Sequence, residues 1–114
     1  MAKMYCKLYI HCASIDTIIS VLEKYFGKTN NRIISTYYFP EFDISIHKNK
    51  EADMEKIHVF PDGFLYYEMI ADVELYSDYV EVTNSILRFM WKHNIPTVAS
   101  CDYEQELNKL ALQK

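Results

Sequence analysis

Met4-Tyr5-Cys6-Lys7-Leu8-Tyr9-Ile10-His11-Cys12 is the stretch that decides the architecture. Met4, Cys6, Leu8, Ile10 and Cys12 alternate with Tyr5, Lys7, Tyr9 and His11. Successive side chains leave a strand on opposite faces, so this period of two predicts a half-buried β-strand. Leu8 and Ile10 must face a core, which puts Tyr5, Lys7, Tyr9 and His11 on the other side. A helix follows at once. Ser14 is a natural N-cap, and Ile15, Ile18, Ile19, Leu22 and Tyr25 or Phe26 recur at helical spacing until Gly27 stops the run.

Lys28 to Arg32 reads as a polar turn, and Ile33 to Phe39 as β-branched and aromatic strand. Phe42, Ile44 and Ile46 then alternate with Asp43, Ser45 and His47. Pro40 between them costs a ladder hydrogen bond, so this is either one strand bent at Pro40 or two short ones. Lys48 to Lys56 is a charged excursion with room for a turn of helix. Residues 57–60 (IHVF), Pro61-Asp62-Gly63 and the long arm Phe64 to Leu75 read as a hairpin with a three-residue, glycine-ended loop. Ser77 is positioned to cap a second helix whose buried stripe is Val80, Thr83, Ile86, Leu87, Met90 and Trp91, closed by His93-Asn94. Ile95 to Ser100 forms a last strand. Asp102 and Gln105 have capping-box spacing for a short C-terminal helix carrying Leu107 and Leu110.

Strand, helix, one or two strands, strand, helix, strand is the order of an α+β domain with two helices on one face of a mainly antiparallel sheet. A ferredoxin-like sandwich of four to five strands, spanning residues 1–114 as one domain, satisfies it. Leu8, Ile10, Leu22, Ile86 and Met90 should share its core. The long arm carries bulk on both sides; Leu65, Tyr67, Met69, Ala71 and Val73 are assigned inward. Phe64, Tyr66, Glu68, Ile70 and Asp72 then join Tyr5, Lys7, Tyr9 and His11 on the open face.

With 114 residues, half of them apolar and a quarter charged, the chain suits one globular core. It has only two glycines, hence no phosphate-cradling loop, but ten tyrosines, which suit half-buried sheet faces and interfaces. The net charge of −4 is uneven: residues 68–106 hold eight acids against Arg88 and Lys92. That skew disfavours nucleic acid and anionic membrane and favours a basic partner. Cys6, Cys12 and Cys101 lack CxxC spacing. On one strand Cys6 and Cys12 would stand roughly 20 Å apart at about 3.3 Å per residue, beyond disulfide reach. Both are expected as buried, unpaired thiols on the helix-facing side of the sheet. A reduced, cytoplasmic setting fits, and no apolar run approaches membrane length.

An aromatic sheet face can stack RNA bases, but Glu68 and Asp72 would repel phosphate there. The expected use of the face is protein binding, through Tyr5, Tyr9, Tyr66, Glu68, Asp72 and Glu74, with Asp102 and Glu104 as further acids; a homodimer remains open. His11, His47, His58 and His93 are scattered without metal-ligand spacing, so neither metal nor cofactor is expected. Cys101-Asp102, between a strand and a helix, is the one place where a thiol could be activated, although Asp102 opposes a thiolate and is explained by capping. No motif of nucleophilic or phosphoryl-transfer catalysis occurs, and the expectation is a binding protein rather than an enzyme. The alternative is a small-molecule or enzymatic domain with its site near Cys101 and Asp102.

The run FPDGFLYYEMIADVE (residues 60–74), followed by LRFMWKHNIPTVASCDYEQEL (residues 87–107), resembles the small immunity proteins of bacterial polymorphic-toxin, or contact-dependent inhibition, systems. The resemblance spans residues 57–107. It implies a cytoplasmic inhibitor that binds and neutralises a cognate toxin domain, often a basic nuclease. Immunity interfaces differ from toxin to toxin, so it assigns no individual residue.

Overall fold

The computed structural model describes residues 4–33, 35–59, 62–103 and 106–107, with backbone only for 30–33. Six strands and two helices follow in the order β1 (Met4–Ile10), α1 (Ile15–Phe26), β2 (Asn30–Ile33), β3 (Thr36–Tyr38), β4 (Phe42–Lys48), β5 (Met69–Leu75), α2 (Tyr79–Lys92) and β6 (Thr97–Ser100). A 3-10 turn at Gly63–Tyr66 precedes β5. The strands form one sheet in the order β2-β3-β4-β5-β1-β6, antiparallel at every pairing. The protein is thus α+β, with an antiparallel sheet and two main helices.

Register explains the core. Cys6 stands opposite Val73, Leu8 opposite Ala71 and Ile10 opposite Met69, while Ile44 and Ile46 oppose Val73 and Ala71 from the other side. All eight are buried. A strand alternates faces, so a ladder in register presents one continuous apolar face. Ile18, Ile19, Val21 and Leu22 of α1 and Ile86, Leu87 and Met90 of α2 belong to the same apolar cluster as these strand residues. Leu8, Ile10, Leu22, Ile86 and Met90 therefore do share one core. Burying such an aliphatic side chain contributes about 1.5–3 kcal/mol. Between the helices the Tyr25 and Phe89 rings stack at 3.7 Å, and the Tyr25 hydroxyl lies 2.9 Å from His93 Nε2.

Helix α1 starts as its sequence implies: Ser14 Oγ accepts from Thr17 N at 3.1 Å. Gly27 ends it at φ 90°, a conformation that only glycine adopts freely. Helix α2 does not start at a Ser77 cap. Asp78, in left-handed geometry at φ 50°, takes the N-cap position and makes no side-chain cap bond. The aspartate tolerates that backbone better than most residues do.

The sheet has six strands rather than the expected four to five. Asn30–Arg32, read as part of a turn, begins β2, because Ser35 at φ 68° reverses the chain and lets β3 supply a ladder partner. Tertiary pairing here overrides weak strand propensity. Pro40 separates two strands. Phe39 N donates to Phe42 O across the turn at 2.9 Å, and a proline between them forfeits no ladder bond.

The hairpin expected around Pro61-Asp62-Gly63 does not form in the described residues. The partner of β5 is β4, with Lys48 opposite Met69, and the twenty residues 49–68 make a closed loop between adjacent strand ends. Lys48 to Lys56 includes turns but no helix. Gly63 lies against the loop's own backbone: a Cβ there would sit 2.2 Å from the Ile57 carbonyl oxygen. The chain winds from Gly63 into the 3-10 turn, which breaks alternation and turns Leu65 outward to 38% exposure, contrary to its inward assignment. Tyr67, Met69, Ala71 and Val73 are buried as assigned. Cys6 is buried, but Cys12 is only half-buried because β1 ends at Ile10; its thiol donates to Ser14 O. The capping box at Asp102–Gln105 and the C-terminal helix through Leu110 fall largely outside the described residues.

Candidate protein-binding face

Parity puts Tyr5, Lys7 and Tyr9 of β1, Ile70, Asp72 and Glu74 of β5, and Asp43 and Ser45 of β4 on the face opposite the buried one. Two differently built areas result.

At one end, four strands contribute to a shallow groove of about 310 Å³. Its walls are Tyr5, Thr36, Tyr38, Asp43, Ser45, Asp72 and Glu74. Glu74 is in register with Tyr5 on one side and Asp43 on the other, and Ser45 opposes Asp72. Directly opposed residues on one face stand about 4.5–5.5 Å apart at Cβ, which brings Asp43 to Glu74, while Asp72 is faced by Ser45 on one side and Lys7 of β1 on the other. The Tyr5 hydroxyl donates to Asp72 Oδ1, and the Tyr76 hydroxyl, just beyond β5, donates to Asp43 Oδ1. Both phenols are pushed up to about 12, first by loss of solvent and then by the hydrogen bond to the carboxylate. Thr36 Oγ1 and Ser45 Oγ lie 2.9 Å apart.

At the other end the 49–68 loop is folded back against the sheet. Phe64 meets Tyr9 in a T-shaped contact at 5.3 Å. His11 stacks on Tyr67 at 5.0 Å while its Nδ1 lies 2.7 Å from Glu68 Oε1. Burial, followed by the Glu68 charge, raises the Tyr67 pKa above its ordinary value. Lys7 and Lys56 carry their ammonium groups over the rings of Tyr9 and Tyr66 at 5.6 and 5.2 Å. The loop is fixed from below by buried Asn49, whose Nδ2 donates to the carbonyls of Leu65 and Tyr67 at 2.8 Å each. Its Oδ1 accepts from Glu51 N at 2.9 Å.

No family model, curated protein or solved structure matches this chain.

The structure brings Tyr5, Asp72 and Glu74 together. Tyr9 and Glu68 lie toward the loop, and Tyr66 stands on the 3-10 turn rather than on a strand. Asp102 is exposed in a turn beyond β6, and Glu104 lies outside the described residues. Asp43, Tyr38 and Tyr76 were not singled out in the sequence. The signal for Asp43 was present, since it alternates with Phe42 and Ile44, but its value depends on β4 pairing with β5. The acids of residues 68–106 are dispersed: Asp78 and Glu81 border a separate depression at the start of α2, with Tyr79, Val80 and Asn84. Among the described residues, no three His, Cys, Asp or Glu side chains are grouped to hold a metal ion. Nor is any helix there long and apolar enough to cross a membrane.

Proposed function

We propose that this chain is a protein-binding inhibitor, an immunity protein that neutralises a basic toxin domain through the outer face of its sheet. The observation that carries this reading is the groove: Asp43, Asp72 and Glu74 gathered with Tyr5 and Tyr38, and Tyr76 fixed to Asp43. Carboxylates attract a cationic surface and raise its encounter rate, while aromatic rings supply contact area at low entropic cost. Nucleic acid or anionic membrane needs the opposite sign of charge, whereas the walls of this groove include three carboxylates.

The same reading takes the fold to be ferredoxin-like. The order β4-β5-β1-β6 and the single apolar cluster shared by α1, α2 and the sheet support a two-layer sandwich with both helices on one face. The β2–β3 hairpin is an addition beside β4. A cytoplasmic setting accords with Cys6, Cys12 and Cys101 standing outside any disulfide.

Growth rescue tests the function. A toxin domain encoded beside this chain is expressed in bacteria with and without it, and rescue should accompany a stoichiometric complex. Asp72→Ala should slow association and weaken its salt dependence, by about 1 kcal/mol or less, as expected of a solvent-facing acid. Tyr5→Ala, the loss of an exposed ring, should speed dissociation and cost about 2 kcal/mol. A complex indifferent to salt and to both changes would move the contact to the helices or the 49–68 loop. Self-association through this face, seen by sedimentation, would make it a homodimer interface instead.

A further inference from the structure

Three of the five large apolar side chains most exposed among the described residues, Met54, Val59 and Leu65, belong to the 49–68 loop. The other two, Tyr5 at 54% and Tyr76 at 36%, stand beside the carboxylate groove. An exposed phenol ring next to a fixed carboxylate is a different feature from an acidic surface. It offers a flat π-face and an acceptor pair within one side chain's reach. We infer that the groove receives a single arginine side chain from the protein partner, its guanidinium lying along Tyr5 and bridging Asp72 and Asp43.

This inference rests on the protein-binding reading and specifies its chemistry. Guanidinium is planar, permanently charged and rich in donors; it forks onto carboxylates and stacks on aromatic rings in the same pose. Lysine supplies a point charge that can use the acids or the ring but has no plane to match both. Asp72 and Asp43 each accept one phenolic hydrogen bond at Oδ1, which orients them. An ionised carboxylate has about four lone-pair positions, so both keep acceptor capacity for a donor from outside. Elsewhere the chain already pairs cations with rings: Lys7 with Tyr9, Lys56 with Tyr66 and Arg88 with Phe89, the last at 5.5 Å. The volume of about 310 Å³ lies at the bottom of the ~300–1,000 Å³ range of ligand pockets, a size for one side chain rather than a cofactor.

The experiment is an NMR titration of the full chain with N-acetyl-arginine methylamide. The lysine and citrulline counterparts and magnesium chloride are run in parallel. The expected result is saturable shifts on β1, β4 and β5 around Tyr5, Asp43 and Asp72, about tenfold weaker with the lysine compound and absent with neutral citrulline. Asp72→Asn and Asp43→Asn, conservative changes at a solvent-facing site, should each weaken the binding about fivefold while leaving the remaining spectrum native. Equal response to lysine would reduce the groove to plain charge attraction, and response to citrulline would remove charge from the argument. The same shifts produced by magnesium would make it a cation site. Any of these overturns the arginine assignment. If the toxin domain still binds and Tyr5→Ala still weakens it, the protein-binding reading survives that loss; if the arginine compound binds and no protein does, that reading fails instead.

Discussion

Replacing Asn49 by alanine should destabilise the protein by about 2–5 kcal/mol, because one side chain holds both ends of the 49–68 loop. Asn49 is 7% exposed. Its amide nitrogen donates to Leu65 O and Tyr67 O, and its oxygen accepts from Glu51 N. The bond to Tyr67 is buried, and leaving that carbonyl unsatisfied costs about 1–3 kcal/mol; the other two are partly solvated and contribute nearer 0.5–1 kcal/mol each. The backbone bond from Asn49 N to Glu68 O survives the change, so the loop should loosen without detaching. Urea denaturation gives the global loss, and the midpoint of thermal unfolding should fall by roughly 4 °C per kcal/mol. Hydrogen exchange should show Glu51, Asp53 and Tyr67 losing protection before β1 or α2. Asn49→Asp sharpens the test by keeping size while exchanging a donor for an acceptor that faces two carbonyls. Those carbonyls raise the folded carboxyl's pKa above its unfolded value. The variant should therefore be most stable at low pH and weaken as pH rises through the folded value. A loss below about 0.5 kcal/mol for the alanine variant, outside the range for a buried unsatisfied group, would refute this account of the loop.

Gly63→Ala should cost about 1–3 kcal/mol in thermal unfolding, as overpacking does, since the new Cβ meets Ile57 O at 2.2 Å and Ile57 C at 2.6 Å; an unchanged midpoint would place this turn elsewhere. Tyr5 and Tyr76 should ionise near pH 12 in an ultraviolet titration of phenolate absorbance, and Asp72→Asn and Asp43→Asn should each lower one of these values in part, because burial remains. The folded values exceed the ordinary value of 10, so whatever stability they carry is intact below pH 10 and lost as pH rises from 10 toward 12. Tyr103→Phe should cost about 1 kcal/mol, measured by urea denaturation, through loss of the buried 3.0 Å contact with Thr83 Oγ1; a stabilised variant would show that Thr83 pairs better without it.

Alternation in residues 4–10 and helical spacing after Ser14 and before His93 were sufficient for β1, α1, α2 and the core they share, because those patterns are local and strong. The outer positions of Tyr5, Asp72 and Glu74 followed from parity alone. What was not legible is non-local. Ser35 has no sequence mark for a positive φ, so the β2–β3 reversal passed for a turn followed by a strand. Gly63 was read as the end of a hairpin loop, whereas its lack of a side chain serves close packing against Ile57. That misreading lengthened β5 backwards by five residues and sent Leu65 inward. It also obscured Asp43, which reaches Glu74 and Tyr76 only because β4, not the segment at 57–60, pairs with β5.

The β2–β3 hairpin has a consequence for self-association. Any open sheet ends in a row of unpaired backbone groups that can recruit another chain, most readily where the strand is long, flat and apolar. Without the hairpin that outermost strand would be β4, seven residues with Phe42, Ile44 and Ile46 on one side. With it, β4 is paired on both flanks, and the exposed rim passes to Asn30–Ile33, four residues of which three are polar or basic. A strand that short, with a register shift along its pairing, is a poor template for addition. Removing residues 29–38, which spares the buried Phe39 and the other buried core residues described, should yield a chain prone to aggregate through β4.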